Sequence, residues 1–378
     1  MKLIQRNKDI ILDKEDLEHI YTFKDFPVFM GCVDQDPSKD LVADMSWHIS
    51  KKSGMVQLNP LLPLDVVYNV SHGSGTTGKL WEQHHEAFSR FIERFKVKTV
   101  LEIGGGHGQL AKKYIKRNQE TFWVIVEPNP SVDESVPVEV VKGFFDNNFK
   151  HSKRFDALIH SHVLEHVYNV DEFLSHQSSF MQESSLLLFS VPNMQVMIDN
   201  NYTNCVNFEH TMLLTEPYIE YLLAKHGYAL VDKEYFMTDH SIFYCARKSL
   251  NVEKIELSTS LYDKNLKSFC SYIQFHLDEV QRLNKIIDKA SSPVYLFGAH
   301  VFSQYLISFG LDTTKIVCLL DNDLKKENKR LYGTTLISKT PKILGNGEKC
   351  LVILRAGVYN EEIKNDILDN INKSVEFI

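Results

Sequence analysis

The chain has 378 residues, 43% hydrophobic and 24% charged, with a formal net charge of -7 at pH 7. That composition is ordinary for a folded protein, and the length argues for two or three domains. A mildly acidic balance creates no field that draws phosphate backbones or anionic lipid, so neither a nucleic-acid nor a membrane partner is expected and a small polar substrate fits better.

The N-terminus, MKLIQRNKDIILDKEDLEHI, is charged throughout and no apolar run approaches ~18 residues, so no leader or membrane span is expected and the cytoplasm is the expected location. Six cysteines (Cys32, Cys205, Cys245, Cys270, Cys318, Cys350) stand apart without a C-x-x-C pair, which fits reduced thiols and no disulfides. Residues 1–80 mix strand-like pieces such as GMVQL with Pro and Gly and end in SHGSGTTG, which predicts a small N-terminal lobe. From Trp81 to Phe95 the apolar positions 81, 87, 88, 91 and 95 predict an amphipathic helix. Apolar TVLEI, a Gly loop, helical GQLAKKYIKRN, apolar FWVIVE, ALIHS, a helix from Asn169 and SLLLFSV follow. Buried strands alternating with helices predict a parallel, doubly wound, Rossmann-like α/β core over 81–250. Apolar steps of three and four over 261–289 predict a long helix bridging domains within 251–290, and a second alternation predicts a C-terminal α/β domain over 291–378.

The run VLEIGGGHGQLA places Gly104, Gly106 and Gly108 between a strand and a helix. The dinucleotide fingerprint needs its third glycine five places after the first, where this chain has Gln109. The pattern E-x-G-x-G-x-G, led by Glu102, resembles the first motif of class I S-adenosylmethionine (SAM) methyltransferases. Glu127 follows ~20 residues beyond the loop, where a carboxylate can accept both ribose hydroxyl protons, with SAM or with NAD. FDALIHSHVLEHV (155–167) separates the two ligands, because it resembles the fourth strand and following turn of class I methyltransferases. That resemblance implies SAM as cofactor, S-adenosylhomocysteine (SAH) as product, and His160 on the cofactor side. GFFD, with Phe145 and Asp146, lies where such folds supply the adenine contact, or is plain core.

The order of parts, with NFEHTMLLT (207–215) after the last core strands, resembles the C-methyltransferases that act on nucleotide-linked keto-deoxysugars. The resemblance implies that Glu209 and His210 are an acid-base pair and that His166 in VLEHV is a further active-site histidine. It also implies that YLFGAH with Gly298 and LLDND with Asp321 help hold a nucleotide-linked sugar, bound between the SAM domain and the C-terminal domain. Read locally, Glu209 and His210 could instead flank the helix starting near Thr215, His166 could merely line a cleft, and Asp321 could start a turn. His84 and His85 read as solvated or cleft-lining, since adjacent helix residues point ~100° apart and chelate poorly. The family's zinc-binding lobe carries two C-x-x-C pairs. Here SKKSGMVQL has Ser50 and Ser53 in the second, so no metal site and no zinc is expected. A family tyrosine is Asn207, and the Tyr-rich segment is NVSHGSGTTG with His72. These changes, with His240 of DHSIFYCARK, fall on the substrate side. Methylation of an oxygen or nitrogen on a sugar substituent or another small molecule, or a SAM-binding protein without turnover, are the alternatives, and a monomer or homodimer is expected.

Overall fold

The computed structural model describes residues 1–67 and 78–378, which divide into two compact units. Unit 1 comprises 1–19, 48–200 and 207–266, and unit 2 comprises 20–47, 201–206 and 267–378. His72, expected on the substrate side, lies outside the described residues.

Unit 1 is built on a seven-stranded sheet. Its strands are β1 (Thr99–Ile103), β2 (Phe122–Glu127), β3 (Glu139–Lys142), β4 (Ala157–Ser161), β5 (Leu186–Pro192), β6 (Tyr228–Phe236) and β7 (Ser241–Lys248). They lie in the order β6-β7-β5-β4-β1-β2-β3. Pairing is parallel from β3 through β5, and β7 runs antiparallel to both neighbours. The central strands are predominantly apolar because both faces are covered, with Glu102 and His160 as buried exceptions. Leu101, Val124 and Leu158 join one core, while Val100, Ile125 and Ile159 join the other. On the second face pack α1 (Lys79–Glu93) and α2 (Gln109–Arg117). The first face is covered by α3 (Val170–Phe180) and α4 (Glu216–Lys225). Helix α1 buries His84, Phe88, Phe91 and Ile92, a stripe at helical spacing, and each of its apolar members contributes about 1.5–3 kcal/mol by leaving water. The doubly wound expectation therefore holds, and the order reverses direction at β1 and β4, which opens a crevice at their carboxyl ends.

The expected lobe over residues 1–80 is not a separate body. Ile11 and Met55 insert into the core of unit 1, and residues 20–47 fall in unit 2. With too few apolar residues for a core of its own, the segment is stabilised by joining the units it runs through. The turn 50–55 is tied by hydroxyls: Ser53 N donates to Ser50 Oγ (3.0 Å), Met55 N to Ser53 Oγ (3.1 Å) and Ser50 Oγ to Asp16 (3.2 Å).

Unit 2 carries a five-stranded parallel sheet: β8 (Val294–Phe297), β9 (Ile316–Leu320), β10 (Ser338–Lys339), β11 (Cys350–Leu354) and β12 (Val375–Phe377), ordered β10-β9-β8-β11-β12. The long helix α5 (Leu261–Lys289) is present, but the division falls at 266/267, so most of it belongs to unit 2 rather than to a separate bridge. Its Phe269 meets Trp47, and His276 stacks on Phe309. Inside the same unit, Arg330 grips Asp40 through two nitrogens at 2.5 and 2.8 Å, with both side chains buried. Among the described residues, no helix is long and apolar enough to cross a membrane, and no disulfide joins any two of the cysteines.

Candidate active site

The glycine turn leaves the carboxyl end of β1. Gly104, Gly106 and Gly108 have φ of 73°, 50° and 68°, the left-handed region where a Cβ is strained. Space is short as well: a Cβ on Gly104 would meet Val163 Cγ2 at 2.7 Å, and one on Gly108 would meet Val132 Cγ1 at 2.9 Å. Gly105, which the motif leaves as any residue, is equally closed, with Ile125 Cγ2 at 2.7 Å. A Cβ on Gly106 would meet nothing within 4 Å among the described residues. Glu127, at the end of β2, accepts from Gly106 N at 3.3 Å and Asn129 N at 3.0 Å, so the turn and the carboxylate form one cradle.

Two residues expected at the cofactor lie deeper. Glu102 is 3% exposed and accepts from Trp123 Nε1 at 2.8 Å beneath the turn. Burial raises its carboxyl to about 7, opposed by the Trp123 hydrogen bond and helped by the nearby Glu127 charge. His160 has no exposed surface, stacks on Phe189, and neither ring nitrogen has a hydrogen-bond partner among the described residues. Burial pushes it down to about 3, so it is a neutral interior group, not one at the cleft. Alternation along ALIHS explains this, since His160 shares its face with buried Leu158. Phe145 belongs to the core beside Phe149, Phe173 and Phe180, whereas Asp146 is exposed and accepts from Asn148 N.

Glu209 and His210 are brought beside His166. Thr211 anchors their segment, its N donating to Glu165 O (3.2 Å) and its hydroxyl to Val167 O (3.1 Å). Its carbonyl accepts from Leu58 N (2.9 Å) and Arg6 Nη2 (2.8 Å). Asn207 shapes the turn itself: its Oδ1 accepts from the backbone N–H groups of both Glu209 and His210 at 2.8 Å. The residue expected to read the substrate is therefore committed to holding this turn. His166 Nδ1 donates to Glu209 O (3.1 Å) and lies 4.0 Å from the Glu209 carboxylate, with its ring 4.9 Å from that of His210.

Between these groups and β4 sits Glu165, fully buried on the 3₁₀ turn Leu164–His166. His162 Nδ1 stands 3.0 Å and His166 Nε2 3.8 Å from its Oε1, yet neither oxygen meets a donor in good hydrogen-bond geometry. Burial alone would raise this carboxyl, but contact with His162 and the charges of His162, His166 and His210 outweigh it and bring it to about 2. Ligand atoms of Glu165, His166 and His210 lie within 4.8 Å of one another, as do those of His84, His162 and His240. In the second group His84 is buried and neutral, bonded through Nε2 to Ser190 Oγ at 2.9 Å, which corrects the solvated half of its reading as solvated or cleft-lining.

Residues 80–233 match a family model described as "Methyltransferase domain". Over that span the chain is similar to methyltransferase domains. The open position is Gly106 beside the Glu127 carboxylate, and that opening suits a ligand such as SAM, whose ribose hydroxyls a carboxylate can accept from. No curated protein matches the chain. Among solved structures, an O-methyltransferase family protein from Burkholderia thailandensis is 15% identical with a TM-score of 0.37. That match covers 45% of this chain and 57% of that one, so the chain spans little more than half of this relative. Magnesium protoporphyrin IX methyltransferase from Synechocystis PCC 6803, solved with bound SAH, is 12% identical over 47% of this chain and 91% of that one, with a TM-score of 0.36. The N-methyltransferase NodS from Bradyrhizobium japonicum WM9 is 13% identical over 45% and 97%, with a TM-score of 0.34. Likenesses this distant carry no argument about substrate.

Outside that span, Gly298 follows β8 with φ of 104° and donates to Leu320 O at 2.8 Å. Asp321 follows β9 and accepts from Ala299 N and Lys326 Nζ, both at 2.9 Å, which closes the turn at the carboxyl ends of the unit 2 sheet. His240, just before β7, bonds through Nδ1 to Ser241 Oγ at 2.6 Å. Reading the sequence missed Glu165, His162 and Trp81. The one available signal was the spacing of His162 and Glu165 in HSHVLEHV, three apart across a turn.

Proposed function

We propose that the protein acts in the cytoplasm, transferring a methyl group from SAM to a sugar, nucleotide-linked, in carbohydrate biosynthesis. The observation that carries the reading is the Gly104–Gly108 cradle closed by Glu127 within residues 80–233. SAM, when bound, supplies a methyl group already activated on sulfonium. What remains for the protein is to align the acceptor and manage its proton. Glu209 and His210 serve as the acid-base pair, with His166 as a supporting donor; Asn207 and Thr211 hold them in place. The parallel sheet of unit 2 supports the sugar-nucleotide part, since the turns at Gly298 and Asp321 stand at strand carboxyl ends, where such folds take ligands.

A second reading, methylation of a sugar oxygen or nitrogen, is favoured by Asn207, which offers no phenol where the family has tyrosine. Calorimetry with SAH and NMR of the product from candidate nucleotide sugars test both. No SAH affinity would sink the first claim, and the atom bearing the new methyl decides between the two.

A further inference from the structure

The acid-base pair leaves unused a chain of polar contacts that also starts at Glu165. His162 Nδ1 lies 3.0 Å from Glu165 Oε1, His162 Nε2 lies 2.9 Å from Ser241 Oγ, and Ser241 Oγ lies 2.6 Å from His240 Nδ1. Proton positions follow from what each partner can do. An ionised carboxylate only accepts, so His162 Nδ1 carries a proton. In a neutral His162 ring, Nε2 then holds the lone pair, and the Ser241 hydroxyl donates to it. The Ser241 oxygen accepts in turn from His240 Nδ1–H, which leaves the lone pair of His240 on Nε2.

We propose that His240, Ser241, His162 and Glu165 form a proton relay, receiving the proton of the methyl acceptor at His240 Nε2 and storing it on His162 against Glu165. One bond to hydrogen breaks on the acceptor and its electron pair stays there for the incoming methyl group. His240 gains that proton on Nε2 and passes its Nδ1 proton to Ser241. Ser241 passes its own to His162 Nε2, so one proton enters, one is stored, and nothing is oxidised or reduced. The inference rests on the methyl-transfer reading and adds to it a proton route, leaving Glu209 and His210 the acid side of the chemistry.

Four observations support it. Glu165 is fully buried without a well-aligned donor, a costly state that a positive His162 relieves. Next to His162, Val163 closes over Gly104, and the Trp81 ring stands 4.9 Å from His162 and 5.2 Å from His240, so the relay adjoins the cofactor cradle. His162 itself is held at φ of 52°, a strained conformation for a residue with a Cβ. Burial and the facing His162, against Asp239, hold His240 down at about 4, so its ring is neutral at pH 7, as the relay requires.

Ring ¹⁵N NMR of the full-length, histidine-labelled protein at pH 7 tests the arrangement without a substrate, with His240→Gln and His162→Gln spectra assigning the signals. The expected result is a His240 proton on Nδ1 and an unprotonated Nε2; Ser241→Ala should shift that proton to Nε2 while SAH affinity by calorimetry stays unchanged. A wild-type His240 protonated on Nε2, or a tautomer that Ser241→Ala does not move, overturns the relay. Wild-type protein with the expected tautomer but no affinity for SAH overturns the methyl-transfer reading, and the relay's role with it, through a separate readout.

Discussion

Replacing Glu102 by Gln isolates the energy stored beneath the glycine turn. The carboxyl is 3% exposed and, among the described residues, its one hydrogen-bond donor is Trp123 Nε1. Burial first, then the Glu127 charge, raise it from 4.5 to about 7 against the Trp123 bond. A folded-state value above the unfolded one means that the native protein binds the extra proton, so this stabilisation is complete below pH 4.5 and is lost as pH rises towards 7. At 1.36 kcal/mol per pH unit, the loss amounts to about 3 kcal/mol by pH 8. Gln copies the protonated acid and still accepts from Trp123, but it does not ionise. Urea unfolding of both proteins, followed by circular dichroism from pH 4.5 to 8, should show near-equal stability at the acid end and the Gln variant ahead by about 3 kcal/mol at the other. A stability difference that is flat across this range would refute the reasoning, because it would place the carboxylate in contact with water.

Gly104→Ala should weaken SAH binding about tenfold by calorimetry, since the left-handed backbone and the contact with Val163 together cost more than 1.4 kcal/mol. Glu209→Gln and His210→Ala should keep SAH binding and lose roughly a hundred- to ten-thousand-fold in turnover; full turnover would remove them from the chemistry. Asn207→Ala should lower turnover as well, because the Glu209–His210 turn loses its acceptor, and a larger effect on KM than on kcat would instead return Asn207 to substrate contact. Asp40→Asn should destabilise unit 2 by about 3 kcal/mol in denaturant titration, as it strands the buried Arg330 guanidinium.

Much of the site was legible because it is local. A turn between a buried strand and a helix demands glycines at Gly104, Gly106 and Gly108, and a carboxylate at the end of the next strand follows from the same βαβ geometry. The exceptions have particular causes. His160 reads as a cleft residue from its neighbours in the motif, yet the period of two that makes ALIHS a strand sends it inward beside Leu158. Asn207 reads as a changed substrate contact, although asparagine two residues before a turn is also the residue that binds its backbone. Glu165 was passed over because a lone Glu in a loop is ordinarily solvated, and only burial turns it into a charge surrounded by imidazoles.

By itself the sequence determined the alternation of buried strands and amphipathic helices, the glycine turn and the Glu-His pair, since each depends on residues adjacent along the chain. The tertiary structure alone decided that residues 20–47 leave the expected lobe for unit 2, that β7 inserts antiparallel beside β5, and that His162, Glu165, Ser241 and His240 meet. Those contacts join residues as many as 79 positions apart, and no local period encodes a pairing whose free energy comes from burying one sheet under two layers of helices.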